Sequence, residues 1–172
     1  MEQTRFSRRT VLGSVGAASI APTLPGDDDE CARVAVHTEP AFTGTILVGP
    51  QLRGTSPTHF SAAILGGEVS GPLLQGQVLP GRIEWTIDAG SQTMQLSASY
   101  AVRCADGLLV QVRDRSVHGG AAAPAAGKGL RTAPELHTDG EHGGLAGSLL
   151  VGVLDASGFS AGQVMLRVFR VV

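Results

Sequence analysis

A chain of 172 residues with a formal net charge of −2 and 16% charged side chains carries no basic field able to hold a nucleic acid, which argues against DNA or RNA as a partner. Lys128 is the only lysine among 13 basic residues, and with 24 glycines this reads as the bias of a GC-rich genome. Once an export segment is removed, roughly 150 residues remain, enough to bury the core of one domain.

That segment occupies residues 1–21. Ser7-Arg8-Arg9-Thr10-Val11-Leu12 is a twin-arginine pattern, followed by small and apolar residues up to Ala21. The run is too short for a stable membrane anchor, and Ser19-Ile20-Ala21 offers small residues for cleavage, so a secreted or periplasmic protein is expected. Residues 22–32 form an acidic linker, because Asp27-Asp28-Asp29-Glu30 repel one another and lack the spaced donors of a calcium loop. Cys31 and Cys104 would be able to form a disulfide after export, or stay as two thiols.

Residues 33–172 read as strand after strand, with period-two alternation and a turn every eight to twelve positions. Strands are expected at 33–38, 43–48, 59–65, 73–79, 82–88, 93–103, 108–114, 148–154 and 163–171. Gly66 to Trp85 is read as short apolar strands set between glycine and proline turns, and Asp106-Gly107 as a hairpin turn. Ile83, Trp85 and Ile87 alternate with Arg82, Glu84, Thr86 and Asp88, which makes one face apolar and the other wet. So many antiparallel strands must hide their edges. The expected fold is therefore all-β, a single antiparallel β-barrel of about eight to nine strands. Ser116 to Lys128, low in complexity, is expected as a loop over one barrel mouth.

Gly66-Gly67, Val78-Leu79-Pro80-Gly81, Glu84-Trp85, Tyr100, Asp106-Gly107 and Arg131-Thr132-Ala133-Pro134, taken together, resemble the signature of the domain of unknown function 3237 family. The resemblance runs from about Ala41 to Val171 and implies a small antiparallel barrel similar to the allene oxide cyclase class. Gly129, Leu130, His137 and Gly144-Leu145-Ala146 depart from the family pattern, which weakens any carry-over of a site.

A small barrel is either filled by side chains or keeps a ligand cavity, so inward-pointing polar and aromatic residues are the ones to weigh. Trp85 and Tyr100, the only residues of their types, stand on neighbouring expected strands, as pocket walls or as plain core. Glu84 and Arg131 are the charged members of the signature. In a dry cavity the carboxylate would act as general base and the guanidinium would hold an enolate or carboxylate; otherwise they form a structural ion pair. Strand parity, however, sets Glu84 on the face opposite Trp85. Arg113 and Asp114 close the expected strand 108–114, with Asp114 on the parity of Val110 and Val112, buried against an arginine or else solvated. His137, Asp139, Glu141 and His142 cluster at no zinc-motif spacing, and no metal is assigned. His118, beside Gly119-Gly120, reads as a loop residue.

Two functions follow from this reading. In the first, the barrel holds a small hydrophobic organic molecule and catalyses its isomerisation, cyclisation or elimination by proton transfer, with Glu84, Tyr100 and Arg131 as catalytic residues. Trp85, Arg113, Asp114 and His137 then bind the substrate, and no cofactor is needed. In the second, the barrel is a ligand carrier or scaffold without chemistry.

Overall fold

The computed structural model describes residues 36–91, 93–119, 129–138 and 147–172. Residues 1–21, the acidic linker and Cys31 lie outside that set, as do Asp139, Glu141 and His142. The strands are β1 Thr38–Val48, β2 Leu52–Arg53, β3 His59–Ser70, β4 Gly76–Val78, β5 Gly81–Asp88, β6 Thr93–Cys104, β7 Leu109–Gly119, β8 Leu130–Thr138, β9 Leu150–Asp155 and β10 Gln163–Val171. A 3-10 turn, Phe159–Ala161, precedes β10.

Antiparallel pairing runs β1-β3-β5-β6-β7-β8-β9-β10 and returns from β10 to β1, which closes an eight-stranded barrel and removes its free edges. Among the described residues β2 pairs with β3 alone, and β4 pairs with β3 and β6, the same two neighbours as β5. The expected all-β barrel is borne out. Alternation is the cause: in β7, Val110 and Val112 are buried while Gln111 and Arg113 are exposed, and in β8, Leu130, Thr132, Pro134 and Leu136 are buried in strict alternation. Leu166, Val102, Val110, Val112 and Val168 are the largest fully buried side chains, each contributing about 1.5–3 kcal/mol by leaving water.

Three local readings change. Gly66 and Gly67 do not turn the chain; they sit inside β3, where the register against β1 shifts between Leu47 and Val48. A Cβ at Gly67, whose φ is +134°, would run into the carbonyl oxygen of Thr45, so glycine lets two backbones approach at this bend. Leu79-Pro80 is not a turn either. β4 and β5 follow one another along the same two neighbours, since Val78 and Arg82 stand opposite Val102 and Ser99 of β6. Four steps on one side match three on the other, and Pro80, which has no ladder donor, falls at this bulge.

The third change concerns β7 and β8. β7 continues through Ser116, Val117 and His118 to Gly119, paired throughout with β6, so the first part of the expected loop is strand; residues 120–128 lie outside the described set. β8 is absent from the expected strands because Pro134 interrupts it. Its ladder to β9 covers only Leu130 to Thr132, so the proline falls where that side has no ladder to break. Beyond Thr132 the two strands part around an open hollow of about 420 Å³, bounded by Pro134, Leu136, His137, Leu149 and Leu150 among others.

Candidate functional site

The alternation that buries Val110 and Val112 carries on along β7 and turns Asp114, Ser116 and His118 to the same inner wall. β6 contributes Leu96, Ala98 and Tyr100 on one side of this row, and β8 contributes Thr132 and Pro134 on the other. The inner wall thus changes from aliphatic to polar as β7 climbs towards the end of the barrel where β7 and β5 finish. At that end Trp85, inward-facing and partly buried, stacks on Phe60 with centroids 5.8 Å apart and meets the edge of Phe159 at 5.6 Å.

The polar wall is short of partners. Tyr100 Oη, Asp114 Oδ1, Ser116 Oγ, His118 Nε2 and Thr132 Oγ1 are all buried and without a hydrogen-bond partner among the described residues, as is Thr138 Oγ1 towards the other end. Native interiors rarely leave such groups unpaired, so a concentration of them on one wall needs an explanation. Asp114 is 3% exposed, and in the ladder it faces Ala98 and Pro134, neither of which offers a charge. Burial therefore pushes its carboxyl up to about 7, an effect only partly offset by the nearby Thr132 hydroxyl and the backbone N–H of Arg115. The Thr132 hydroxyl comes close to the carboxyl, yet neither Oδ1 nor Oγ1 completes a hydrogen bond of full geometry. Tyr100, 2% exposed, is pushed far above the usual phenol value by burial and then by the Asp114 carboxylate, and it stays protonated. A carboxyl that titrates near neutrality is able both to give and to take a proton, and the hydroxyls beside it are able to orient a bound polar group.

Glu84, Tyr100 and Arg131, read together as catalytic, are not brought together. Only Tyr100 faces inward. Glu84 lies on the outer face, as its parity requires, 3.1 Å from Arg82 and bordering an open surface hollow of about 240 Å³ with His59, Thr86, Gln95 and Arg115. Arg131 is exposed on the outside of β8, opposite Val153. Of the expected binding residues, Trp85 and Asp114 face inward, whereas Arg113 and His137 are exposed on the outer surface, His137 3.7 Å from Glu135. Arg113 and Arg115 are exposed on the outer face, Arg115 pairing with Glu135 at 2.9 Å, so Asp114 is neither solvated nor buried against one of its flanking arginines. Ser116, His118 and Thr132 are the residues that sequence reasoning misses; extending the β7 alternation past Asp114 is the signal that finds the first two. Among the described residues no group of three or more His, Cys, Asp or Glu side chains is placed to hold a metal ion.

A closed antiparallel barrel with one polar stretch of inner wall defines the class of this molecule. The chain belongs to the family described as protein of unknown function DUF3237, whose model matches residues 36–171. Among solved structures it is similar to a conserved protein of unknown function from Rhodopseudomonas palustris, with 28% identity, a TM-score of 0.68, and coverage of 81% of this chain and 99% of that one. It is also similar to a β-barrel-like protein from Acinetobacter baumannii, with 20% identity, a TM-score of 0.64 and coverage of 81% and 98%. A protein from Penicillium herquei described as an enzyme shares 20% identity at a TM-score of 0.62, covering 81% and 96%. At 20% identity the last two likenesses carry the fold alone. No curated protein matches the chain.

Proposed function

We propose that this barrel binds a small hydrophobic organic molecule at the end bounded by Trp85 and His118, and that Asp114 moves a proton on the bound molecule. The reaction class that fits is isomerisation, cyclisation or elimination. The observation that carries the reading is the inner wall where Asp114 Oδ1, Ser116 Oγ, His118 Nε2 and Thr132 Oγ1 are buried without a hydrogen-bond partner among the described residues. A ligand hydroxyl or carbonyl directed at that wall would satisfy them, and the aromatic rings of Trp85, Phe60 and Phe159 offer apolar surface for the remainder of the molecule. Asp114 replaces Glu84 as the proposed acid-base group, because of the two carboxylates it alone faces inward, where burial raises it towards neutrality. The twin-arginine pattern supports an exported protein, with the molecule met or carried outside the cytoplasm.

A second reading, a carrier without chemistry, is favoured by one observation. A void lined by Ile46, Ile64, Tyr100 and Asp114 among others measures only about 20 Å³, too small for an organic molecule, which leaves the polar wall near the mouth to meet a ligand. The test begins with native mass spectrometry of protein purified from its producing organism's exported fraction, followed by denaturing extraction. A stoichiometric organic adduct is expected, and its turnover by wild type but not by Asp114→Asn would separate enzyme from carrier. A clean apo mass, together with no binding by either form to candidate compounds of the proposed class, would overturn the proposal.

A further inference from the structure

A narrow void of about 20 Å³ is lined by Tyr100 and Asp114 together with apolar side chains that include Ile46, Ile64, Leu154 and Leu166. A void of this size holds one water molecule, which needs roughly 10–15 Å³ of probe-occupied space and at least two polar partners. Apolar cavities of the same size stay dry, so the polar groups decide the matter. Val112 stands opposite Tyr100 and Ala98 opposite Asp114, so the two polar side chains are diagonal neighbours on the inner face of adjacent strands. Such neighbours are about 7–8 Å apart at the backbone, within joint reach of long side chains. Among the described residues both Tyr100 Oη and Asp114 Oδ1 lack a partner, and the lining residues from β1, β3, β5, β9 and β10 are all aliphatic.

We propose that a single structural water occupies this void, accepting a hydrogen bond from Tyr100 Oη and donating one to Asp114 Oδ1. Tyr100 is then a positioning residue, fixing the orientation of the carboxyl through the water rather than touching a ligand. The donor direction follows from the phenol, whose burial keeps its proton in place. The water also favours the charged carboxylate, since it donates to it. Among the described residues Tyr100 and Asp114 are the only titratable groups lining the void; His118, on the same wall of β7, stands nearer the mouth and outside the lining. The inference stands on the void and its two polar groups, independently of the small-molecule reading, and ligand-free protein tests it.

A crystal structure of the ligand-free wild type, at a resolution that shows ordered waters, is expected to contain one peak within about 2.6–3.2 Å of both Tyr100 Oη and Asp114 Oδ1. Tyr100→Phe removes the donor. The peak should then be lost, and the Asp114 titration midpoint, followed by carboxyl ¹³C NMR, should rise by about half a unit or more. A merely packing role for Tyr100 would leave that midpoint unmoved. An empty void, or Oη in direct contact with the carboxylate, would overturn the proposal. Should the Phe variant fail to fold, the wild-type map alone distinguishes a bridging water from an empty void.

Discussion

Gly152 of β9 stands opposite Thr132 of β8, and the side chain it lacks is what lets the Thr132 hydroxyl sit inside the barrel wall: a Cβ on Gly152 would collide with Thr132 Oγ1 and press on Pro134. A glycine on one strand thus makes room for a polar atom of the candidate site on the next.

Gly152→Ala should therefore destabilise the protein by about 1–3 kcal/mol, the usual cost of overpacking. Combining it with Thr132→Ala removes the colliding oxygen, and the double variant should lose less stability than the sum of the singles. Denaturant unfolding of the four proteins measures this coupling; strict additivity would mean that the two residues do not share the space.

Asp114 makes stability depend on pH in a direction opposite to that of a salt-bridged carboxylate. Its folded value, about 7, lies above the ordinary 3.8, so between those values the folded state holds a proton that the unfolded state has released. Its contribution to stability is greatest at low pH and declines as pH rises through that window. Asp114→Asn, uncharged throughout, should match wild type near pH 4 and exceed it at pH 8 by a few kcal/mol. Unfolding curves at the two pH values check the sign.

The aromatic end of the barrel is tested by Phe159→Ala, which removes the edge contact to Trp85. A loss of about 1–3 kcal/mol is expected. Trp85 is the only tryptophan, so its emission should shift to the red without any other probe being introduced. An unchanged spectrum would place Phe159 away from the ring.

Much of the barrel is legible in alternation alone, as in Ile83, Trp85 and their outward neighbours Glu84 and Thr86. The site is not, and the reason is physical. Where Ser116 and His118 replace valines on the inner face of β7, the hydrophobic signal of a half-buried strand stops although the backbone continues. β8 is hidden in the same way, by Pro134 in its middle and Thr132 on its inner face. Parity does place Glu84 outside, but the resemblance to a family signature draws it into the catalytic set. Local pattern fails where polar groups are buried, which is where a function is to be sought.

Glu84→Gln provides the matching control. Its ion pair with Arg82 is exposed, with side-chain exposures of 39% and 71%, and surface pairs of this kind contribute at most about 1 kcal/mol. The variant should fold with near wild-type stability and retain any bound molecule in native mass spectra. Loss of that molecule would return the outer face to consideration.

If burial on the inner wall sets the Asp114 carboxyl near neutrality, a ¹³C NMR titration of the wild-type protein will give this residue a midpoint near 7. A midpoint at the ordinary carboxylate value near 3.8 would show that Asp114 is solvated or paired, and would contradict it.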